Sequence, residues 1–148
     1  MTSMIDQQDQ IRALIEDQAA AMRAGDAEAV VERYAPEIVS FTLAPPLVHG
    51  PAELRDPETL RGWFAGFAGP VDYEVRDLHV TVGGDVAFTQ SLNRMSAVPA
   101  GSQEPFTLWF RSTVCLRRDG GRWLIAHQHQ STPFYMDGTF AAALDLEP

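Results

Sequence analysis

Hydrophobic residues in this chain change period at Pro70, and that change restricts the fold more than any other feature. Before it, apolar side chains recur at helical spacing. After it they alternate, in runs cut by Gly83-Gly84-Asp85, Pro99-Ala100-Gly101-Ser102 and Asp119-Gly120-Gly121. A period of about 3.6 followed by a period of about 2 means helices first and a meander of strands second. A helical stripe and a one-sided sheet each need a partner to bury their apolar face, so the sheet folds over the helices in an α+β arrangement.

The spacing of Ile11, Leu14, Ile15 and Met22 predicts a helix over about 6–25, with Gly25 as its stop. Asp26 is placed to cap a shorter helix carrying Val30, Val31 and Tyr34, which Pro36 ends. Residues 38–43 are β-prone until Ala44-Pro45-Pro46 stops them. Asp56-Pro57-Glu58 opens a third helix that presents Leu60, Trp63, Phe64 and Phe67 and closes at Gly69-Pro70. Strands are expected over 71–82, 86–98, 106–117 and 122–131, paired antiparallel, with a helical turn in the tail from Asp137. A curved sheet on three helices leaves a cone with one open end, which is where a ligand is expected.

At 148 residues, 45% of them hydrophobic, the chain reads as one domain over 1–148, with a core of about 6–135 and a tail of 136–148. Twenty acidic against 11 basic residues give a net charge of −9 with no basic cluster, which argues against nucleic acid and anionic membranes as partners. Cys115 alone forms no intramolecular disulfide and no cysteine-based zinc site. The first residues lack a basic start and an apolar run, and no stretch is long and apolar enough to span a membrane. These features give an expectation of a soluble, cytoplasmic protein.

Strand parity selects candidate site residues. One face of the third run carries Ala87, Thr89, Ser91, Asn93 and Met95, and one face of the fourth carries Thr107, Trp109, Arg111, Thr113 and Cys115. Small polar residues beside Trp and Arg suit a cavity wall, and the opposite, bulkier faces are then free to meet a second subunit. In the last run both faces begin apolar and end polar, so alternation does not decide between them. The face bearing His127, His129 and Ser131 is taken as the inner one.

Arg118-Asp119-Gly120-Gly121-Arg122-Trp123, followed by His127-x-His129-x-Ser131-x-Pro133, resembles the SnoaL-like, ketosteroid-isomerase-homologue branch of the nuclear transport factor 2-like superfamily. Phe41-Thr42-Leu43-Ala44-Pro45-Pro46-Leu47, Trp63-Phe64-Ala65-Gly66-Phe67, Asp85-Val86-Ala87-Phe88 and Trp109-Phe110-Arg111-Ser112-Thr113 are similar to further motifs of that branch. The end of the chain is also similar to the association domain of calcium/calmodulin-dependent protein kinase II. The resemblance implies a cone-shaped α+β barrel, a homodimer and an apolar cavity, and it leaves the activity open among isomerases, cyclases, dehydratases and binding modules. It also implies an aspartate base at or near position 42. Thr42 stands there, and a threonine does not abstract a carbon-bound proton unaided, so steroid isomerisation by the usual route is not expected.

The remaining acid/base candidates are His127 and His129, because histidine alone changes charge near neutrality without tuning. Arg111 is the candidate for stabilising a developing negative charge or holding a carboxylate. Tyr34, Thr42, Asn93 and Thr113 are expected to orient a small-molecule ligand, with Phe41, Trp63 and Trp109 as apolar wall. No metal site and no cofactor are expected, since His49 and His79 are the only other histidines and no cysteine cluster accompanies them. A non-catalytic ligand-binding or dimerisation module is the alternative.

Overall fold

Ser3 starts the first element. Its hydroxyl accepts from Asp6 N at 3.1 Å while the Asp6 carboxylate accepts from Ser3 N at 3.3 Å, a reciprocal cap that satisfies two free helix-end donors. The computed structural model describes residues 3–148, and from this cap helix α1 runs over Met4–Ala24. Gly25 ends it in the left-handed region at φ 65°, which favours a residue without a Cβ. Ile11 and Leu14 are fully buried, and each contributes roughly 1.5–3 kcal/mol by leaving water. Among the described residues no helix is long and apolar enough to cross a membrane.

Helix α2 covers only Ala27–Glu32, capped by Asp26. Tyr34 therefore lies in strand β1 (Tyr34–Phe41) and not in the second helix as expected. Pro36 disfavours the helical region for the residue before it, and Ile38 and Val39 continue the extended chain. Two short helices follow, α3 (Pro51–Leu54) and α4 (Pro57–Phe64), then strands β2 (Asp72–Gly83), β3 (Val86–Ala97), β4 (Phe106–Asp119) and β5 (Arg122–Ser131).

The sheet order is β1-β5-β4-β3-β2. Strands β2 to β5 form the antiparallel meander, whereas β1 pairs parallel to β5, so the sheet is mixed and open between its edges. The edge position of β1 explains how Pro36, which has no N–H to donate, sits within a strand. The tail folds back instead of forming a helical turn: Ala143 N donates to Pro133 O and Tyr135 N to Ala141 O, both at 2.8 Å.

The helices cover one face of the sheet. Ile11, Leu14 and Ile15 of α1 pack with Ile38, Ala87, Val114, Leu116, Trp123 and Ile125. Val71, Met95, Ala97 and Phe110 form a second cluster under Phe64 and Phe67, beside the end of α4. One irregularity sets what lies between the clusters. Cys115 pairs with His127 but Leu116 pairs with Ile125, so Ala126 is a bulge. Trp123 and Ile125 point inward before it, and Gln128 and Gln130 point inward after it, opposite Val114 and Ser112. His127, His129 and Ser131 are thereby turned to the outer face, the reverse of the face chosen from alternation.

Candidate functional site

Residues directly paired across neighbouring strands share a face, so the register assembles the concave surface row by row. One row runs Thr89, Val114, Gln128, Ser40 and His49, the last joined to Ser40 by an antiparallel bridge. The next is Ser91, Ser112 and Gln130, followed by Val75, Asn93 and Phe110. A polar band of hydroxyls and amides thus separates the two apolar clusters. Thr89, Asn93 and Ser112 are buried in it, while Ser91, Gln128 and Gln130 keep some contact with solvent.

Two tyrosines border the band. Tyr34 OH accepts from Gln128 Nε2 at 3.1 Å, and Tyr73 OH accepts from Asn93 Nδ2 at 2.9 Å. Ser91 Oγ donates to Asn93 Oδ1 at 2.7 Å, which fixes the amide with its nitrogen toward Tyr73. Burial raises both phenols, the Tyr73 hydroxyl to about 12, with the amide bonds acting in the opposite sense. Both rings nonetheless keep a minor contact with solvent, and groups that are crowded yet still reached by solvent lie on a concave wall. Ser40 Oγ is buried in the same row with no hydrogen-bond partner among the described residues.

The expected site residues divide between two faces. Asn93 and Tyr34 are on the concave side. Arg111, Thr113, Trp109, His127 and His129 are on the convex side, because the buried residues of β4 are Phe110, Ser112, Val114 and Leu116. The inner face expected for β4 was thus the wrong one of the two. On the convex side Arg111 Nε donates to Ser131 Oγ at 3.2 Å, and the Arg76 guanidinium lies 5.6 Å from the Trp109 ring centre. His127 Nδ1 donates to the Val39 carbonyl at 2.7 Å. Phe41 meets the rings of His127 and His129 edge-on at 4.8 and 5.3 Å. Trp63 on α4 packs edge-on against Phe67 at 4.9 Å, beside the second cluster.

A groove of about 830 Å³ opens where β1 and β5 end. Phe41, Thr42, the 43–48 loop and residues 129–132 line it, so Gln130 belongs to both the groove and the polar band. At its rim Thr42 Oγ1 lies 3.1 Å from His49 Nε2, and Glu53 Oε1 lies 2.9 Å from His49 Nδ1. The Glu53 bond holds His49 above the ordinary histidine value, against the opposing effect of partial burial. Tyr73, Gln128, His49 and Glu53 were not selected from the sequence. The available signals were the alternation of Tyr73 with Val71 and Val75, and a His and a Glu four residues apart across the Gly50-Pro51 helix start.

The SnoaL-like domain family matches residues 11–135. The chain belongs to that family. This SnoaL-like protein shares 31% identity with a nuclear transport factor 2-like protein of unknown function from Pseudomonas putida KT2440, over 100% of both chains, with a TM-score of 0.84. A candidate scytalone dehydratase from Novosphingobium aromaticivorans DSM 12444 has the same fold at 13% identity, covering 88% of this chain and 86% of that one, with a TM-score of 0.76. A ketosteroid isomerase-like protein from Erwinia carotovora atroseptica SCRI1043 does so at 22% identity, covering 85% and 95%, with a TM-score of 0.70. No curated protein matches the sequence.

Proposed function

We propose that this SnoaL-like protein binds a small, mostly apolar molecule through one oxygen atom on the concave face of the sheet, and acts on it as a cofactor-independent isomerase, cyclase or dehydratase. The observation that carries this reading is the state of Tyr34 and Tyr73. Each hydroxyl oxygen already accepts from an amide, so each hydroxyl hydrogen is free for a ligand. Phenols are protonated at neutral pH, as donors to a carbonyl or enolate oxygen must be, and burial extends that state to higher pH. The apolar clusters on either side suit a hydrocarbon body, and the candidate dehydratase and isomerase-like neighbours suggest the same class of chemistry.

Arg111 and His127 face the convex side, away from both tyrosines, so of the charged candidates only His129, which lines the groove at the end of β5, is kept as a proton carrier. The alternative is a binder without turnover, favoured by a band made of neutral groups: Thr89, Ser91, Asn93, Ser112, Gln128 and Gln130. A homodimer, through the convex face where Val86 and Phe88 are exposed, and a cytoplasmic location, which the single cysteine suits, complete the proposal.

Calorimetric titration with 2-naphthol tests the oxygen site. Tyr34→Phe and Tyr73→Phe should each weaken binding about tenfold, near 1.4 kcal/mol. Affinity unchanged from the wild type in both variants, or no binding by the wild type, removes the reading. Deuterium uptake at the α-carbon of a β-hydroxyketone bound there then separates an enzyme from a binder.

A further inference from the structure

The 43–48 loop returns Thr42 to face His49. Ser40 N donates to His49 O at 3.0 Å and His49 N to Ser40 O at 2.9 Å, closing the loop at its base. Gly50-Pro51 then starts α3, which sets Glu53 beside the imidazole, with Oε1 and Oε2 at 2.9 and 3.0 Å from Nδ1. With Nδ1–H donated to the carboxylate, the Nε2 lone pair faces the Thr42 hydroxyl 3.1 Å away. Hydroxyl, base and orienting carboxylate within hydrogen-bond reach of one another are the geometry of an activated nucleophile. His49 is 8% exposed, while Thr42 is half-buried and lines the groove, so the base is shielded and the hydroxyl is presented.

From this constellation we infer that Thr42, His49 and Glu53 form a nucleophilic acyl-transfer site that hydrolyses esters with an apolar acyl chain. Phe41, Leu43, Pro45 and Leu47 supply the apolar wall of the groove. Gln130, on the same wall and without a side-chain hydrogen bond among the described residues, supplies an amide donor for the oxyanion. Thr42 Oγ1 bonds to the ester carbonyl carbon, and its proton passes to His49 Nε2. The bond to the alcohol oxygen then breaks, and the alcohol leaves with that proton. Water gives a proton to Nε2 and attacks the acyl-threonine, whose ester bond breaks as Oγ1 recovers the proton. Ester and water become acid and alcohol, with no change of oxidation state.

The Thr42 hydroxyl has a second acceptor, the Ala44 carbonyl at 3.0 Å. When the ring is protonated, Nε2–H donates to Oγ1 and the hydroxyl turns to Ala44. The site therefore works only with neutral His49. Among the described residues Glu53, on α3, is the one charged group acting on that ring; Ser40 and Thr42 face it from β1 and its end and the Ala44 carbonyl from the loop, and all three are neutral.

Hydrolysis of 4-nitrophenyl butyrate, followed across about pH 5 to pH 9, tests the site. The rate should rise with pH along a limb set by His49, and Glu53→Gln should move that limb to lower pH. Thr42→Val and His49→Asn should each lose about a hundredfold in rate while Thr42→Ser keeps activity. A fluorophosphonate probe should add one mass to the intact protein, mapped to Thr42. An unchanged rate in Thr42→Val with its thermal melt retained, an adduct elsewhere, or no hydrolysis by the wild type and Thr42→Ser alike overturns the proposal. Failure of 2-naphthol to bind bears on Tyr34 and Tyr73 and leaves this test intact.

Discussion

Four of the crowded polar side chains in this protein are held in pairs in which an amide or carboxylate fixes the state of its partner. Trp123 Nε1–H donates to Gln7 Oε1 at 2.7 Å, tying the first turns of α1 to β5 through residues only 2% and 5% exposed. Asn93 and Gln128 do the same for two phenols, and Glu53 does it for His49. The last pair has a consequence for stability. His49 is raised in the folded state, so its bond to Glu53 contributes fully below the unfolded histidine value of about 6.5 and is lost as pH rises through the higher folded value. Urea unfolding of the wild type and Glu53→Gln should therefore show a stability difference that is largest near pH 6 and shrinks toward pH 8. A difference that grows with pH would mean that the carboxylate does not hold the imidazolium.

The decisive element is β5. A one-residue slip reverses every side chain of a strand, and the bulge at Ala126 performs that reversal halfway along. It lets Trp123 and Ile125 fill the core under α1 while Gln128 and Gln130 line the polar band. With Ala126 paired in unbroken alternation, His127 and His129 would face inward and both amides outward. Deleting Ala126 would make Ile125 and His127 neighbours opposite Leu116 and Cys115, removing the bulge while Gln128 stays inward beside Tyr34, so it should cost no more than about 3 kcal/mol. Denaturant unfolding measures it, and a loss above about 4 kcal/mol would show that the faces of β5 are not kept when the bulge is removed. The bulge is also why alternation in β5 was ambiguous: each face of the sequence is apolar before Ala126 and polar after it, and only the paired strand shows where the change of phase falls.

At the scale of the whole molecule, the open sheet presents a convex face carrying Val86 at 62% and Phe88 at 50% exposure, with half-buried Leu92 and Trp109 farther along it beyond Gln90 and Thr113. Exposed apolar side chains clustered on one sheet face mark an interaction surface, and the proposed homodimer would cover them. Sedimentation velocity should give a dimer for the wild type and a monomer for Phe88→Asp, with the 2-naphthol site unchanged; a monomeric wild type removes the dimer from the proposal. The sequence by itself determined the helix-then-meander order, the cap at Asp56, the stop at Gly25, the turn positions and the family, because each is written in neighbouring residues. It also placed Asn93 correctly, since β3 alternates without interruption along the inner face. Tertiary structure decided the rest: the parallel seat of β1, the inward face of β4 and β5, and the meeting of Thr42 with His49 and of Tyr73 with Asn93. Those depend on pairing partners distant in sequence and on one unpaired residue, and local periodicity carries no information about which strand lies alongside.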